Sequence, residues 1–339
     1  MKAVVMQEAG TYEVAEVPEP ERGDLVLVES RAAGICGTEL HILDGMLEPP
    51  GYPFILGHEG AGVVTYVPEG VTNVAVGDRV AIYNFVGCGT CHWCRTGCEE
   101  VCTDPVGQLG FSSDGTFRDI VPVPAANCVK LPDNVSFEDA ALLSCSGMTA
   151  VHALRLADVR FGDTVVVDGV GGVGLMVMQA AVAAGAQVIA IADSDARTPL
   201  AKDAGASSVI VLDERGYDAV ADRIREATDG RGADHFFELV GTTASMLAGV
   251  RGLARRGTAV IIGYTDDELQ MHPVELILSE ARVIGSVAAA RQDLETAVAM
   301  CARGELRAQI DTRYPIEEFG TGIERLRKRE VNGRNVLTW

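Results

Sequence analysis

The segment at residues 165–175, VVVDGVGGVGL, limits the fold more than any other stretch of the chain. It sets Gly169, Gly171 and Gly174 in a G-x-G-x-x-G pattern, directly behind a run of valines and ahead of an apolar stretch of helical length. A strand that turns at once into a helix needs residues without a Cβ at such points. Gly169 allows the tight turn, Gly171 admits a pyrophosphate close to the backbone, and Gly174 lets helix and strand pack closely. Gly172 and Val173 complete the loop and belong to the same expected cofactor-binding set. Glycine-rich turns are common, so the pattern alone is weak and its surroundings must carry it.

Those surroundings repeat one grammar between residues 141 and 289. TVVVDG, VIAIAD, SVIVLD, HFFELVG, TAVIIGY and RVIGSVA are strand-like, and segments of helical length such as LMVMQAAVAAG and YDAVADRIREATDG separate most of them. Near-continuous apolar strands alternating with helices predict a parallel sheet covered on both faces, a doubly wound, Rossmann-type dinucleotide-binding domain. Asp193 closes the strand VIAIAD, where a carboxylate accepts hydrogen bonds from the adenosine ribose and repels a 2′-phosphate. NAD is therefore expected over NADP, with Arg197 as the neighbour that could soften the preference. The plainer alternative is that Asp193 caps the helix that follows.

Residues 1–140 read differently. AVVM, YEVAEV, LVLVES, GAGVVTYV, DRVAIY and FRDIVPV are short, often alternating runs divided by Gly and Pro, as an antiparallel or barrel-like β domain requires. At 339 residues the chain exceeds one ordinary core, so two domains are expected. Residues 290–339 open with a helical segment, DLETAVAMCARGEL, and end in short segments that could return to the first domain. The formal charge of −20 argues against nucleic acid or an anionic membrane as partner, although a helix N-terminus can still bind phosphate. The N-terminal segment lacks a long apolar run and a cleavage site, so a cytoplasmic protein is expected. LMVMQAAVAAGAQVIAIA, residues 175–192, has the length of a membrane span. Gly185 breaks it, and it reads as a buried helix followed by a buried strand.

Nine cysteines in such a chain suggest metal or catalysis before disulfides. Five fall between Cys88 and Cys102, and four thiolates suffice for one tetrahedral site. Cys88, Cys91, Cys94 and Cys98 have the spacing of a ferredoxin run, whereas Cys88, Cys91, Cys94 and Cys102 would form a closed zinc lobe. Spacing leaves both open. Cys36 in AGICGTELH, His58 in PFILGHEGAGVV and Cys145 in ALLSCSGMTAVHAL are further candidate ligands of a borderline metal such as zinc.

Taken together, GICGTELH, LGHEGAGVV, the cysteine lobe, LLSCSGMTAVHA, GVGGVG, Asp193 and the closing GRNVL occur in the order found in the zinc-dependent, medium-chain alcohol dehydrogenase family, which the chain resembles over essentially its whole length. The resemblance implies a GroES-like β-rich catalytic domain, 1–140 completed by 290–339, beside a Rossmann domain, 141–289, with the substrate cleft between them. It implies two zinc ions per subunit. The catalytic one would be held by Cys36, His58 and Cys145, with Glu59 close to the metal and water or substrate in the remaining position. The structural one would be held by Cys88, Cys91, Cys94 and Cys102, with Cys98 spare. Glu99 in place of the usual proline after the fourth cysteine also weighs against the ferredoxin reading, as does the lack of a second cysteine run. By the same comparison Thr38 contacts the alcohol oxygen and His41 ends a proton relay. Thr149 packs on the nicotinamide, and Arg334 contacts the pyrophosphate. Gly37 stands where some relatives carry a phosphate-binding Arg. A homotetramer, or else a dimer, is implied.

The implied reaction is reversible hydride transfer between a small alcohol, primary or secondary, and NAD, giving an aldehyde or ketone. Zinc lowers the pKa of bound water from about 15.7 to about 7. A comparable effect on an alcohol is worth at most roughly 10 kcal/mol, since two thiolate ligands moderate it. Polyol and threonine dehydrogenases resemble the chain around Cys36 and His58 but typically carry Glu where Cys145 stands. A non-enzymatic nucleotide or redox sensor of the same fold is the alternative of another class. Tyr83, Asn84, Phe85 and Met148 are candidate pocket walls. Cys98, Cys128 and Cys301 read as packing or surface thiols, and His152 and His235 have no motif around them.

Overall fold

The structure, a computed structural model, describes residues 1–339. The chain divides into two compact units, Met1–Met148 with Ala290–Trp339, and Thr149–Ala289. The first unit runs on to Met148, past the expected break at residue 140, because the helix Phe137–Leu142 packs on the strands Val26–Ile35 and Gly60–Tyr66.

The first unit is β-rich. Its larger sheet runs in the order Cys128–Lys130, Arg79–Ile82, Gly60–Tyr66, Val26–Ile35, Arg334–Thr338, Ile310–Pro315, with Ile120–Val123 also paired to Val26–Ile35. All pairings in it are antiparallel except that of the last two strands. The chain's last strand thus completes this sheet by pairing Asn335 with Ile35 and Leu337 with Ala33. The strand Lys2–Glu8 is buried on both faces along Ala3–Met6, whereas Thr11–Glu16 and Ile120–Val123 keep an alternation of burial. Val4, Met6, Ile35, Leu56, Phe117, Phe319 and Leu337 meet in one core, and Val26, Val28, Val64, Val80 and Val121 in another.

The second unit holds a six-stranded parallel sheet in the order Ser208–Val211, Gln187–Ala192, Thr164–Asp168, Ala233–Glu238, Leu253–Ile261, Arg282–Gly285. Numbered along the chain, that order is 3-2-1-4-5-6, the doubly wound arrangement with its switch point between the first and fourth strands. Every residue of Thr164–Asp168 is buried, which explains why its valines run on without alternation. The apolar stretch 175–192 splits into the helix Gly172–Ala183 and the strand Gln187–Ala192 at Gly185, whose φ of +83° suits a residue without a Cβ. A different run, Phe137–Ala157, is long and apolar enough to cross a membrane, and most of it is buried within the protein.

Candidate functional site

The first unit gathers four side chains from three separate segments. Cys36, His58, Glu59 and Cys145 present ligand atoms that all lie within 4.8 Å of one another. Cys36 precedes the short helix Gly37–Leu43, at the end of the strand Val26–Ile35. His58 and Glu59 lead into the neighbouring strand Gly60–Tyr66. Cys145 comes from a π-helical turn, Leu143–Gly147, inserted in the helical run; such wider turns recur at functional sites because they re-aim a side chain. Ser144 ties that turn to the strand by donating to the Gly60 carbonyl at 3.4 Å. Gly34 allows the close approach, since a Cβ there would lie 1.8 Å from Glu59 Oε2 and 2.5 Å from Leu142 Cδ2.

Glu39 organises this cluster, and sequence reading assigned it no role. Fully buried, it meets His58 Nδ1 with Oε1 at 2.7 Å and accepts the Cys36 backbone N–H with Oε2 at 2.7 Å. The first contact keeps a proton on Nδ1 and turns Nε2 toward the cysteines, the orienting role that carboxylates play behind metal-binding histidines. Its signal was present in CGTE, where an acid three residues after a helix-capping residue closes back on it. Among themselves the side chains polarise strongly. Burial opposes charge on His58, but Glu39 and Cys36 outweigh it and push the imidazole up to about 10. The Cys145 thiol, donating to Cys36, pulls Cys36 well below the usual thiol range, while the same bond and burial push Cys145 up. A buried donor set of two sulfurs, an imidazole and a carboxylate suits zinc. Glu39→Gln is expected to weaken zinc binding about 10- to 100-fold while leaving the circular dichroism spectrum unchanged; competition with a chromophoric chelator measures it.

Thr38 lies at the cluster, its Oγ1 3.6 Å from Cys36 Sγ. His41 follows three residues later on the same helix, so the two share a face. Glu59 is fully buried, and neither carboxylate oxygen has a hydrogen-bond partner; Arg334 Nη2 lies against Oε1 without hydrogen-bond alignment. Arg334 therefore sits at the metal cluster, a placement that its expected pyrophosphate contact did not foretell. Above Gly37 an added Cβ would meet nothing within 4 Å. Of the candidate pocket walls, Tyr83, Asn84 and Met148 are buried and Phe85 is half-buried.

The cysteine lobe answers the question that spacing left open. Cys88, Cys91, Cys94 and Cys102 converge, with Cys88 Sγ 4.0 Å from Cys94 Sγ and Cys91 Sγ 3.8 Å from Cys102 Sγ. Tetrahedral zinc with bonds of about 2.3 Å needs sulfurs about 3.8 Å apart. Cys98 stays outside, its Sγ 4.0 Å from the Thr96 carbonyl. Backbone N–H groups of Cys91 and Cys94 point at Cys88 and Cys91 sulfurs at 3.3 and 3.4 Å. The thiols cannot all ionise together unaided. The Cys94 N–H leads in drawing Cys91 down to about 6, whereas burial raises Cys94 to about 12. The two clusters fit two zinc ions. Burial likewise keeps Cys128 and Cys301 protonated, raised to about 12 and about 11.

The second unit carries the glycine loop at the C-terminal end of its first strand. Gly169 has φ +114°, a region that disfavours any side chain. At Gly174 a Cβ would lie 1.8 Å from the Gly169 carbonyl, so helix and turn pack too closely for alanine. Gly171 instead faces open space, and no side chain caps the helix Gly172–Ala183, which leaves its first N–H groups for an anion. Gly172 and Val173 form the first turn of that helix. Asp193 follows the second strand with a half-exposed carboxylate that accepts Ser194 Oγ at 3.2 Å and lies 4.0 Å from Arg197 Nε. It caps no helix, since Arg197 occupies the cap position of Thr198–Asp203. Thr149 is buried at the start of this unit.

Comparison with known proteins agrees with this geometry. Residues 22–133 match the alcohol dehydrogenase GroES-like domain, and residues 172–303 match the zinc-binding dehydrogenase family. The chain belongs to the zinc-type, medium-chain dehydrogenase family. Among its relatives, an alcohol dehydrogenase of Geobacillus stearothermophilus is 34% identical over 339 residues, 99% of this chain and 98% of that protein. An acryloyl-coenzyme A reductase of Metallosphaera sedula is 34% identical over 346 residues, with each chain covered in full. A crystal structure of an NAD-dependent alcohol dehydrogenase superposes with a TM-score of 0.93 at 30% identity, again over all of both chains.

Proposed function

We propose that the protein is a zinc- and NAD-dependent oxidoreductase that moves hydride reversibly between a primary or secondary alcohol and NAD, with the aldehyde or ketone as the other product. The observation that carries this reading is the convergence of Cys36, His58 and Cys145 on one buried point, with the Thr38 hydroxyl beside it. When bound, zinc supplies Lewis acidity toward an alcohol or carbonyl oxygen, and NAD accepts or returns the hydride. Cys36, His58 and Cys145 hold the metal, and Glu59 is the nearby carboxylate able to join them. Glu39 fixes the imidazole orientation. Thr38 hydrogen-bonds the substrate hydroxyl and passes its proton toward His41.

In the second unit, Gly169, Gly171, Gly172, Val173 and Gly174 receive the pyrophosphate, with Thr149 toward the nicotinamide end. Arg334 is the proposed cationic contact for the pyrophosphate. Asp193 accepts the ribose hydroxyls and disfavours NADP. Asp193→Asn is expected to cost NAD affinity about 10- to 100-fold, the loss of a charged hydrogen bond, and to narrow the preference over NADP; calorimetric titration with both dinucleotides measures it.

Cys145 favours alcohols over polyols and threonine, whose dehydrogenases typically carry Glu at this position. The test is a panel of simple alcohols, benzyl alcohols, polyols and threonine followed at the NADH absorbance, with an enoyl thioester added because of the acryloyl-coenzyme A reductase relative. Zinc is measured on the same sample. Turnover confined to polyols, threonine or the thioester overturns the alcohol assignment, and no turnover at all with two zinc ions bound favours a sensor. The reading includes a homotetramer in preference to a dimer, checked by sedimentation. It also includes action in the cytoplasm, checked by cell fractionation.

A further inference from the structure

The first and fourth strands of the parallel sheet flank its switch point, and each ends in an acid. Asp168 and Glu238 are register partners on these neighbouring strands. Partners in a parallel sheet project to the same face about 4.8 Å apart. The two residues are 1% and 0% exposed. Their hydrogen bonding is unequal. Glu238 Oε1 accepts from Val240 N at 2.9 Å, Gly241 N at 2.7 Å and Ser245 Oγ at 2.7 Å. Asp168 Oδ1 receives only the Tyr217 hydroxyl, at 3.2 Å. Asp168 Oδ2 and Glu238 Oε2 are buried with no partner at all. Two buried carboxylates side by side cannot both remain ionised. Three donors stabilise the charge on Glu238, so the proton belongs to Asp168 and the pair titrates as a unit.

The pair is also the footing of the glycine loop. Gly169 directly follows Asp168, and a Cβ there would touch Leu239 at 3.4 Å and Val240 at 3.9 Å. Glu238 holds the same turn through the N–H groups of Val240 and Gly241. We propose that Asp168 and Glu238 carry one proton between them at neutral pH and act as positioning residues for the dinucleotide loop, so that losing this proton weakens dinucleotide binding. The loop half of this proposal rests on the reading that the second unit binds NAD; the proton half does not.

The charged and titratable groups acting on the pair support it. Burial first, then Glu238, raises Asp168 from 3.8 to about 8, with Tyr217 opposing. Burial also raises Glu238, and Asp193 adds to the negative field felt by Tyr217. The sign for stability follows. A folded-state value above the unfolded one favours the folded protein at low pH, and this advantage is lost progressively as pH rises from about 4 to about 8.

Infrared difference spectroscopy of the zinc-loaded protein without dinucleotide, compared with Asp168→Asn, tests the proton. A protonated-carboxyl C=O band is expected at pH 7 that disappears near pH 8 to 9 and is absent from the variant. Glu238→Gln should move loss of the band to lower pH, because the like charge is gone. Absence of the band in the unaltered protein at pH 7 overturns the proposal, as does its persistence in Asp168→Asn. Calorimetric titration with NAD between pH 6 and pH 10 tests the loop. The Kd of the unaltered protein relative to Asp168→Asn should climb above pH 8 by up to about tenfold per pH unit. A ratio that stays constant with pH overturns the link to the loop. Failure to bind NAD at any pH, with the band present, overturns the cofactor reading while upholding the shared proton. The melting temperature of Asp168→Asn should exceed that of the parent by a margin that widens from pH 5 to pH 8. A margin that narrows contradicts the assignment of the proton.

Discussion

Cys36→Ser is expected to abolish hydride transfer while leaving NAD binding nearly unchanged. Serine keeps the shape of the side chain but replaces a polarisable thiolate with a hydroxyl that stays protonated near neutral pH, so the donor set loses both a charge and its preferred ligand type. Cys145 then has no thiolate to share its proton with, and Glu39 still accepts the backbone N–H of residue 36. The helix Gly37–Leu43 should therefore survive and the fold with it. A fall in kcat/KM of at least about a thousandfold, roughly 4 kcal/mol of transition-state stabilisation, together with loss of one zinc per chain, is the expected result. Steady-state kinetics, metal analysis and calorimetric titration with NAD on one preparation check it. Retained turnover would remove the assignment of this cluster as the reaction centre.

The second large effect is a contrast between two cysteines four residues apart. Cys102→Ser should cost one zinc per chain and unfold the lobe locally, with proteolysis inside residues 86–106 accelerating on the order of a hundredfold, whereas Cys98→Ser should change neither. The lobe has almost nothing else to hold it. Its helix His92–Arg95 and the 3-10 turn Glu99–Val101 bury no residue, and Trp93 and Val101 lie exposed. Without apolar burial to offset the entropy of ordering the loop, metal–thiolate bonds supply the stabilisation. The reverse contrast, with Cys98→Ser unfolding the lobe and Cys102→Ser leaving it intact, would show that the ferredoxin-like spacing describes the site, and equal sensitivity would show that neither cysteine is a distinct fourth ligand.

Much of the architecture was legible because it is written in local patterns. Strand after strand of the parallel sheet falls on an apolar run named from the sequence, and the loop Gly169–Gly174 adopts the strand–turn–helix context that gives those glycines meaning. Periodicity and turn chemistry act between near neighbours, so they can be read one window at a time. The combination of motifs also pointed to the zinc dehydrogenase family, which the matches at 22–133 and 172–303 establish.

Glu39 was overlooked for the same reason in reverse. As one acid in a short helix it carries no mark of function until His58, nineteen residues away, is folded back against it. The contact of Arg334 with Glu59, far apart along the chain, was likewise not legible, because only the pairing of the last strand with Val26–Ile35 brings the two segments together.

The sequence by itself determined the two grammars, the glycine turn, the carboxylate after the second strand and the pool of candidate metal ligands. Tertiary structure alone decided which ligands meet, that Cys98 is left out, that Glu39 stands behind His58, and that Asp168 faces Glu238 across the switch point. The physical reason is that backbone preferences act over a few residues, whereas a site is assembled by packing. A π-helical turn at Cys145, a missing Cβ at Gly34 and a strand register between Asp168 and Glu238 place side chains from distant segments within a few ångströms, and no local window contains those distances.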